Sequence, residues 1–343
     1  MQPATDPAFD ALTSFVPVGR QPGLFSSEEL RGYMKIKPWR VALDIAMFWA
    51  MVLGTFAVAF AFPTWWVWAL CFLAMGFLQN AIITWTHEAS HSNLNRNRKR
   101  NDRIADFLLA GPAGISVDQY RWHHVAHHKY LGDPEKEVEL AAWLCVRGGH
   151  LFSEIARHLL GMSALNIIRR KKRFLKPGSQ HPPPPPRSMA AWAGFIVING
   201  ALAALCWWQG FWFLYPALWV APLFTIGLLL SNFRTVVEHQ TSSEVCDRPR
   251  MEMTGFTRVI ECSWIEHVLI APVGLHYHFE HHLFPSVPYH RLREVRAALK
   301  RKGFYDQPGI VKERGYLRTV WRLSMRNGYG IRMLNPFVEP PRG

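Results

Sequence analysis

The chain has 343 residues, 49% of them hydrophobic, with fifteen tryptophans and a formal charge of +14. Such a composition is foreign to an ordinary soluble enzyme and leaves two neighbours, nucleic acid or a membrane. The apolar residues collect into long runs with the basic residues lying between them, so the charge needs no nucleic-acid partner to explain it.

Residues 1–40 read as a cytoplasmic lead-in. They hold no apolar signal-peptide core, so insertion falls to the first span, and Ser26 to Glu29 spells a capping box that opens a short helix. Val41 to Phe62 then carries one charge near its start and is long enough to cross a hydrocarbon core, which takes about 20 residues. After Pro63 the run from Thr64 to Trp85 repeats this length, so residues 41–86 form a first transmembrane hairpin.

Residues 87–188 form a cytoplasmic block. Within it "LFSEIARHLLGMSALNIIRRKKRFL" has helical apolar spacing and a basic end, which suits a helix on an anionic membrane surface or one packed on the protein. "HPPPPPR" follows as a stiff spacer. Met189 to Trp208 and Phe211 to Leu230 make a second hairpin within residues 189–232, and residues 233–343 form a second cytoplasmic block. Both hairpin connections are short, uncharged and crowded with tryptophan, and Trp65, Trp66, Trp68, Trp207, Trp208 and Trp212 read as an aromatic belt at one face. Lys and Arg lie on the other side, which makes both termini and the central block cytoplasmic by the positive-inside rule. Cys71, Cys145, Cys206, Cys246 and Cys262 form no CxxC pair and read as reduced.

The fold expected is therefore a single domain over residues 1–343. It is an all-α integral membrane protein with four transmembrane helices in two hairpins and a cytoplasmic helical cap, multi-pass, and in a bacterium resident in the cell inner membrane. The cap carries an unusual set of histidines. Of sixteen, ten fall in three groups: His87 and His91; His123, His124, His127 and His128; His276, His278, His281 and His282. An eleventh, His239, follows the fourth span. The spacings i, i+4 and i, i+3, i+4 put each set on one side of a helix. One H-x-x-x-H is more often structural. Three in one chain, all near the same ends of the spans, point to metal, since imidazoles gathered together repel once protonated and a cation holds them. One zinc is satisfied by three or four protein ligands, so the count favours two ions; imidazole suits iron, copper or zinc, and spacing does not choose among them.

Taken together, "HEASH", "HHVAHHKYLGDPE" and "HFEHHLFPSVP" around two hairpins resemble the three histidine boxes of the membrane fatty acid desaturase family, which includes hydroxylases and decarboxylases. The resemblance runs from His87 to Pro285. It implies a non-haem di-iron centre with O2 as co-substrate. The iron ligands it implies are His87 and His91; His124, His127 and His128; His278, His281 and His282; and His239. His123 and His276 are extra, and the second box can also be written from His123. Glu88, Glu238 and Glu280 adjoin these residues as partners for imidazole N–H groups or as solvent-facing groups. Asp133 either holds a ligand or begins a turn, Arg234 pairs with Glu238 in preference to binding an acidic head group, and Asn93 and Arg96 read as loop residues.

The family chemistry is removal of hydrogen from an unactivated methylene of a fatty acyl or similar chain. Desaturation is the leading outcome; hydroxylation, or oxidative decarboxylation to a terminal alkene, follows from other substrate placements. The chain has no haem, flavin or nicotinamide motif, so an external ferredoxin, rubredoxin or cytochrome b5 with its reductase must supply electrons. The rival of a different class is an intramembrane zinc protease on His87, Glu88 and His91 with glutamate as base, which leaves the other clusters unemployed.

Overall fold

The computed structural model describes residues 24–130, 151–165, 183–239, 257–307 and 310–325. Its elements are mostly helical. The capping box forms as spelled: Ser26 accepts from Glu29 N and Glu29 from Ser26 N, opening α1 (Ser27–Tyr33). Lys37 precedes α2 (Pro38–Ala61), where Pro38 takes a position whose missing N–H costs nothing. The helix therefore starts ahead of the apolar run. Helix α3 (Trp65–Ser90) follows after a three-residue link, and α2 and α3 are stitched by Trp68 Nε1 donating to Ala59 O at 3.0 Å. Trp68 is thereby turned inward, unlike Trp65, Trp66, Trp207, Trp208 and Trp212, which are mostly exposed.

After α3 come α4 (Arg98–Ala105), a π-helical turn over Asp106–Ala110 and a short 3-10 turn, Gly111–Ala113. Helix α5 (Val117–Tyr130) carries the second histidine group. Of the long amphipathic stretch, only α6 (Leu151–Leu159) and the residues to 165 are described, and the rest lies outside the described residues. Helix α7 (Met189–Trp208) starts at Ser188, whose side chain accepts from Ala191 N. The fourth run differs from its expected bounds. It is helical from Tyr215 to Glu238, through two π-helical stretches, Tyr215–Val220 and Leu223–Gly227, before α8 (Leu228–Glu238). Pro216 and Pro222 remove backbone donors at these two stretches, and His239 caps the same helix instead of following it in a loop.

Four helical stretches are long and apolar enough to cross a membrane: Ser27–Ala61, Trp65–Ser90, Met189–Trp208 and Tyr215–Glu238. Lipid offers no hydrophobic force between helices, so close packing and interhelical hydrogen bonds must hold them. Both are present. A Cβ on Gly194 of α7 would lie 2.4 Å from Phe107 O, so only glycine permits that approach. Asn199 accepts from Trp219 Nε1 at 2.8 Å and Tyr215 OH at 3.0 Å while donating to Pro112 O at 3.1 Å. Val52, Phe56, Met75, Leu202 and Leu218 fill the space between, and Met47, Met51 and Leu70 face outward.

The rest of the described chain packs at the end of the bundle where α3 and α8 terminate. It comprises β1 (Arg258–Glu261), α9 (Trp264–Leu269), a 3-10 turn, Leu275–Tyr277, α10 (His278–Leu283), α11 (Tyr289–Arg301), β2 (Val311–Arg314) and α12 (Tyr316–Met325). The two strands pair in parallel, Arg258 opposite Val311, the one sheet among the described residues. Cys71, Cys206 and Cys262 are free thiols; Cys145 and Cys246 lie outside the described residues.

Candidate metal centre

Four helix ends bring the histidines together: the last turn of α3, the length of α5, the cap of α8 and all of α10. They sort into two groups whose nitrogens lie within 4.8 Å of one another, one of His87, His91, His124, His128 and His281, the other of His127, His239, His278 and His282. All are buried except His91, which is partly so. The helical period explains the sorting. On α5 the i, i+4 pair His124 and His128 serves the first group while His127, a hundred degrees round, serves the second. On α10 the pattern is reversed: His278 and His282 form the pair and His281 crosses to the first group.

His123 and His276 belong to neither group. His123 turns its Nδ1 to Tyr120 O at 3.1 Å. His276 lies against His267, ring centroids 4.0 Å apart and planes inclined by 46°, and burial, then His267, holds its pKa down to about 2. Asp133 lies outside the described residues.

The donor set fits a cation better than it fits itself. In the second group His127 Nε2 and His278 Nε2 lie 3.1 and 3.0 Å from His239 Nε2, and His282 Nε2 lies 2.9 Å from His278 Nε2. His239 Nδ1 faces Thr235 O at 2.9 Å, which assigns the proton to Nδ1 and leaves the Nε2 lone pair directed at the cluster. Four such nitrogens cannot satisfy one another by hydrogen bonds, because a neutral imidazole carries one N–H. In the first group His128 Nε2 sits 3.0 Å from His124 Nε2 and 3.2 Å from His281 Nε2. All-imidazole donation of this kind suits iron, copper or zinc.

Each group has one buried carboxylate beside it. Glu88 Oε1 lies 3.4 Å from His87 Nδ1 and 3.9 Å from His281 Nδ1. Its other oxygen accepts from Tyr289 N at 3.0 Å and Asn93 Nδ2 at 3.3 Å. Glu238 Oε2 lies 3.7 Å from His278 Nδ1 and 3.2 Å from Arg234 Nη1, the pair expected from their spacing, and Glu238 Oε1 accepts from Tyr316 OH at 2.9 Å. Glu280 instead turns to Arg296, whose Nε and Nη2 donate at 2.7 and 2.8 Å, and to Tyr305 OH. It thereby fixes α10 on α11.

Several residues that position the histidines carry no sequence signature. Asp106 accepts from Val117 N at 2.7 Å and from Ser188 Oγ at 2.5 Å, tying the starts of α5 and α7 to one point; burial raises its pKa. Arg121 donates to Ser90 O at 2.7 Å and to Asp102 at 2.6 Å, and it pairs with Asp118, locking α5 against the end of α3. Arg258, among the largest fully buried side chains, donates to Val236 O at 3.0 Å, Val237 O at 3.1 Å and His239 O, holding the cap of α8. Asn93 and Arg96, expected as plain loop residues, reach across instead: Asn93 donates to Pro285 O at 3.0 Å and Arg96 to Ser286 O at 2.7 Å. The signal for these residues is a partner distant in sequence, which no local pattern displays.

The electrostatics predict a pH dependence. Burial first, and neighbouring imidazoles second, push His124, His278, His281 and His282 well below the ordinary histidine range. The folded chain therefore refuses protons that the unfolded chain accepts near pH 6.5. Stability is full above about pH 6.5 and falls as pH drops below it, by about 1.4 kcal/mol per pH unit for each such histidine. Thermal unfolding of metal-free protein in detergent should show a level midpoint above pH 7 and a steep fall toward pH 5. A midpoint that rises on acidification would contradict these environments.

The family model described as "Fatty acid desaturase" matches residues 63–311. The chain is 26% identical to the dihydrorhizobitoxine desaturase of Bradyrhizobium elkanii, over 84% of this chain and 87% of that one. It is 24% identical to the sphingolipid delta(4)-desaturase/C4-monooxygenase of Homo sapiens, over 77% and 73%. A shorter match, 33% identical over 28% of this chain and 29% of the other, is to the ceramide hydroxylase of Caulobacter vibrioides.

Proposed function

The chain belongs to the fatty acid desaturase family, and from that membership we propose that it is a membrane-bound, O2-dependent oxidoreductase. It holds two iron ions in its two histidine groups and removes hydrogen from a long hydrophobic chain, most simply a fatty acyl chain, to leave a double bond. The observation that carries this reading is the pair of buried groups of five and four histidines. A single catalytic zinc would need only three of these nine.

When bound, the metal pair supplies O2 activation and the power to oxidise an unactivated C–H bond. The protein's part is to hold the imidazoles in one tautomer, as Thr235 O does for His239, and to set carboxylates beside the far ring nitrogens, as Glu88 and Glu238 do. Burial of the groups excludes bulk water, which suits oxidation of an apolar chain and not hydrolysis. The balance is closed by an outside donor. Each O2 accepts four electrons to become two waters; two come with two hydrogens from adjacent methylenes, two come from a ferredoxin, rubredoxin or cytochrome b5 with its reductase, and the remaining two protons come from solvent. An acidic carrier fits the net positive chain, so electron delivery should weaken as salt is raised, and indifference to salt would count against that partner.

The reading has the clusters and both termini on the cytoplasmic side, supported by the excess of Lys and Arg outside the spans, and, in a bacterium, the chain in the cell inner membrane. A hydroxylase outcome on the same scaffold is the second reading, favoured by the monooxygenase and hydroxylase named among the relatives. Expression in a host with a matched donor, followed by lipid and volatile analysis, tests the assignment. New double bonds are expected. New hydroxyl groups or shortened terminal alkenes would select hydroxylation or decarboxylation instead, and iron-loaded protein that alters no lipid would oppose all three.

A further inference from the structure

A groove of 1720 Å³ runs along the outer face of α2 and α3 and ends against α9 and the start of α11. Ordinary ligand pockets occupy about 300–1,000 Å³, so this one is sized for an extended molecule. Met47, Met51 and Val58 of α2 face Leu70, Phe77 and Leu78 of α3 across it. Met47, Met51 and Leu70 are about half exposed, so one side opens outward. None of the nine clustered histidines lines it.

Charge gathers at one end only. The charged lining residues are Lys37, Arg40, Asp44 and Arg293, and they are brought together where α11 meets the start of α2: Lys37 N donates to His290 Nε2 at 3.2 Å, and Arg293 stands one turn beyond His290. Asp44 is already engaged, by Arg40 at 2.8 Å and by Tyr289 OH at 2.6 Å. Lys37 and Arg293 have no acidic partner among the described residues. Burial first, then Arg291 and Lys37, hold His290 at about 4, so it adds no charge near neutrality. An apolar trough with two uncommitted cations at one end is complementary to a chain with one anionic end.

We propose that this groove binds a single-chain long carboxylate, its alkyl chain along α2 and α3 and its carboxylate between Lys37 and Arg293. The proposal rests on reading the protein as an oxidant of such chains, and it selects an anionic single-chain substrate over the sphingolipids and ceramide that the relatives' names print. The groove's inner wall at this end includes Trp85 and Tyr289, ring centroids 5.0 Å apart, and Tyr289 N is bonded to Glu88 beside His87. Carbons next to the carboxylate, not the far end of the chain, are thereby the ones nearest the histidines.

The test is binding of radiolabelled palmitate and of radiolabelled hexadecanol to the full chain in detergent. Saturable palmitate binding is expected, weakened about tenfold in the K37A/R293A double variant, with hexadecanol bound poorly throughout. Ala74→Trp, which fills the exposed middle of the groove, should block palmitate without touching the charged end. Binding should persist in His127→Ala, so failure of the metal assignment leaves this measurement intact. Equal binding of acid and alcohol, unchanged palmitate binding in the double variant, or displacement by phosphatidic acid but not by unlabelled palmitate would overturn the proposal.

Discussion

Replacing His127 by alanine is expected to bring turnover to background and to cost the protein one of its two metal ions. His127 is fully buried in the group of four, and its Nε2 lies 3.1 Å from that of His239. Removing it leaves three imidazoles, an unbalanced donor set and a cavity in a closed site. Loss of a residue that merely orients a ligand costs about 10–100-fold in affinity or activity, and loss of a ligand should exceed that. His281→Ala should do the same to the other group. The control is His123→Ala: this ring points to Tyr120 O and enters neither group, so that variant should keep the greater part of its activity and both metals. Turnover and metal content measured side by side decide the matter. Equal loss in the His123 and His127 variants would mean that the helical phase of α5 is not the one described.

The largest expected effect on stability belongs to Arg296→Ala. Arg296 holds the fully buried Glu280 with two donors and also donates to Ile260 O at 2.9 Å and His276 O at 3.1 Å. One side chain thus ties α11, β1 and the turn before α10 into a single unit. Its removal strands a buried carboxylate amid three ring-bearing neighbours on α10, a change that costs about 3–5 kcal/mol. The thermal midpoint should fall steeply, with metal retention falling alongside because His278, His281 and His282 share the helix. The Arg296→Met, Glu280→Leu double variant removes both partners and should recover part of the loss. A midpoint unchanged in Arg296→Ala would show that Glu280 is held by other groups.

Much of this architecture was legible from pattern alone. Apolar run length marks the four candidate spans, and the i, i+3, i+4 spacing marks which histidines share a helix face. Spacing could not choose between His123 and His124, because both registers satisfy it. The phase of α5 is instead fixed by Asp106 at its start and Arg121 along its length, two residues whose roles lie in distant partners. The expected fourth span stops at Leu230 because Ser231, Asn232 and Arg234 end the apolar run, whereas the helix continues through them to its cap at His239. Trp68 looked like its exposed neighbours until its indole N–H found Ala59 O. Glu88 shows the same limit from the other side. In H-E-x-x-H it has the spacing of a protease base, yet one of its oxygens is occupied by Tyr289 N and Asn93 and the other faces the far nitrogens of His87 and His281.

The chemistry of this protein depends on which metal sits among the histidines and in what number. Elemental analysis of purified protein, after chelation of loosely bound ions, addresses this directly. Two iron ions per chain are expected, one for each histidine group, falling to about one in His127→Ala. One tightly held zinc per chain with no iron would contradict the di-iron assignment.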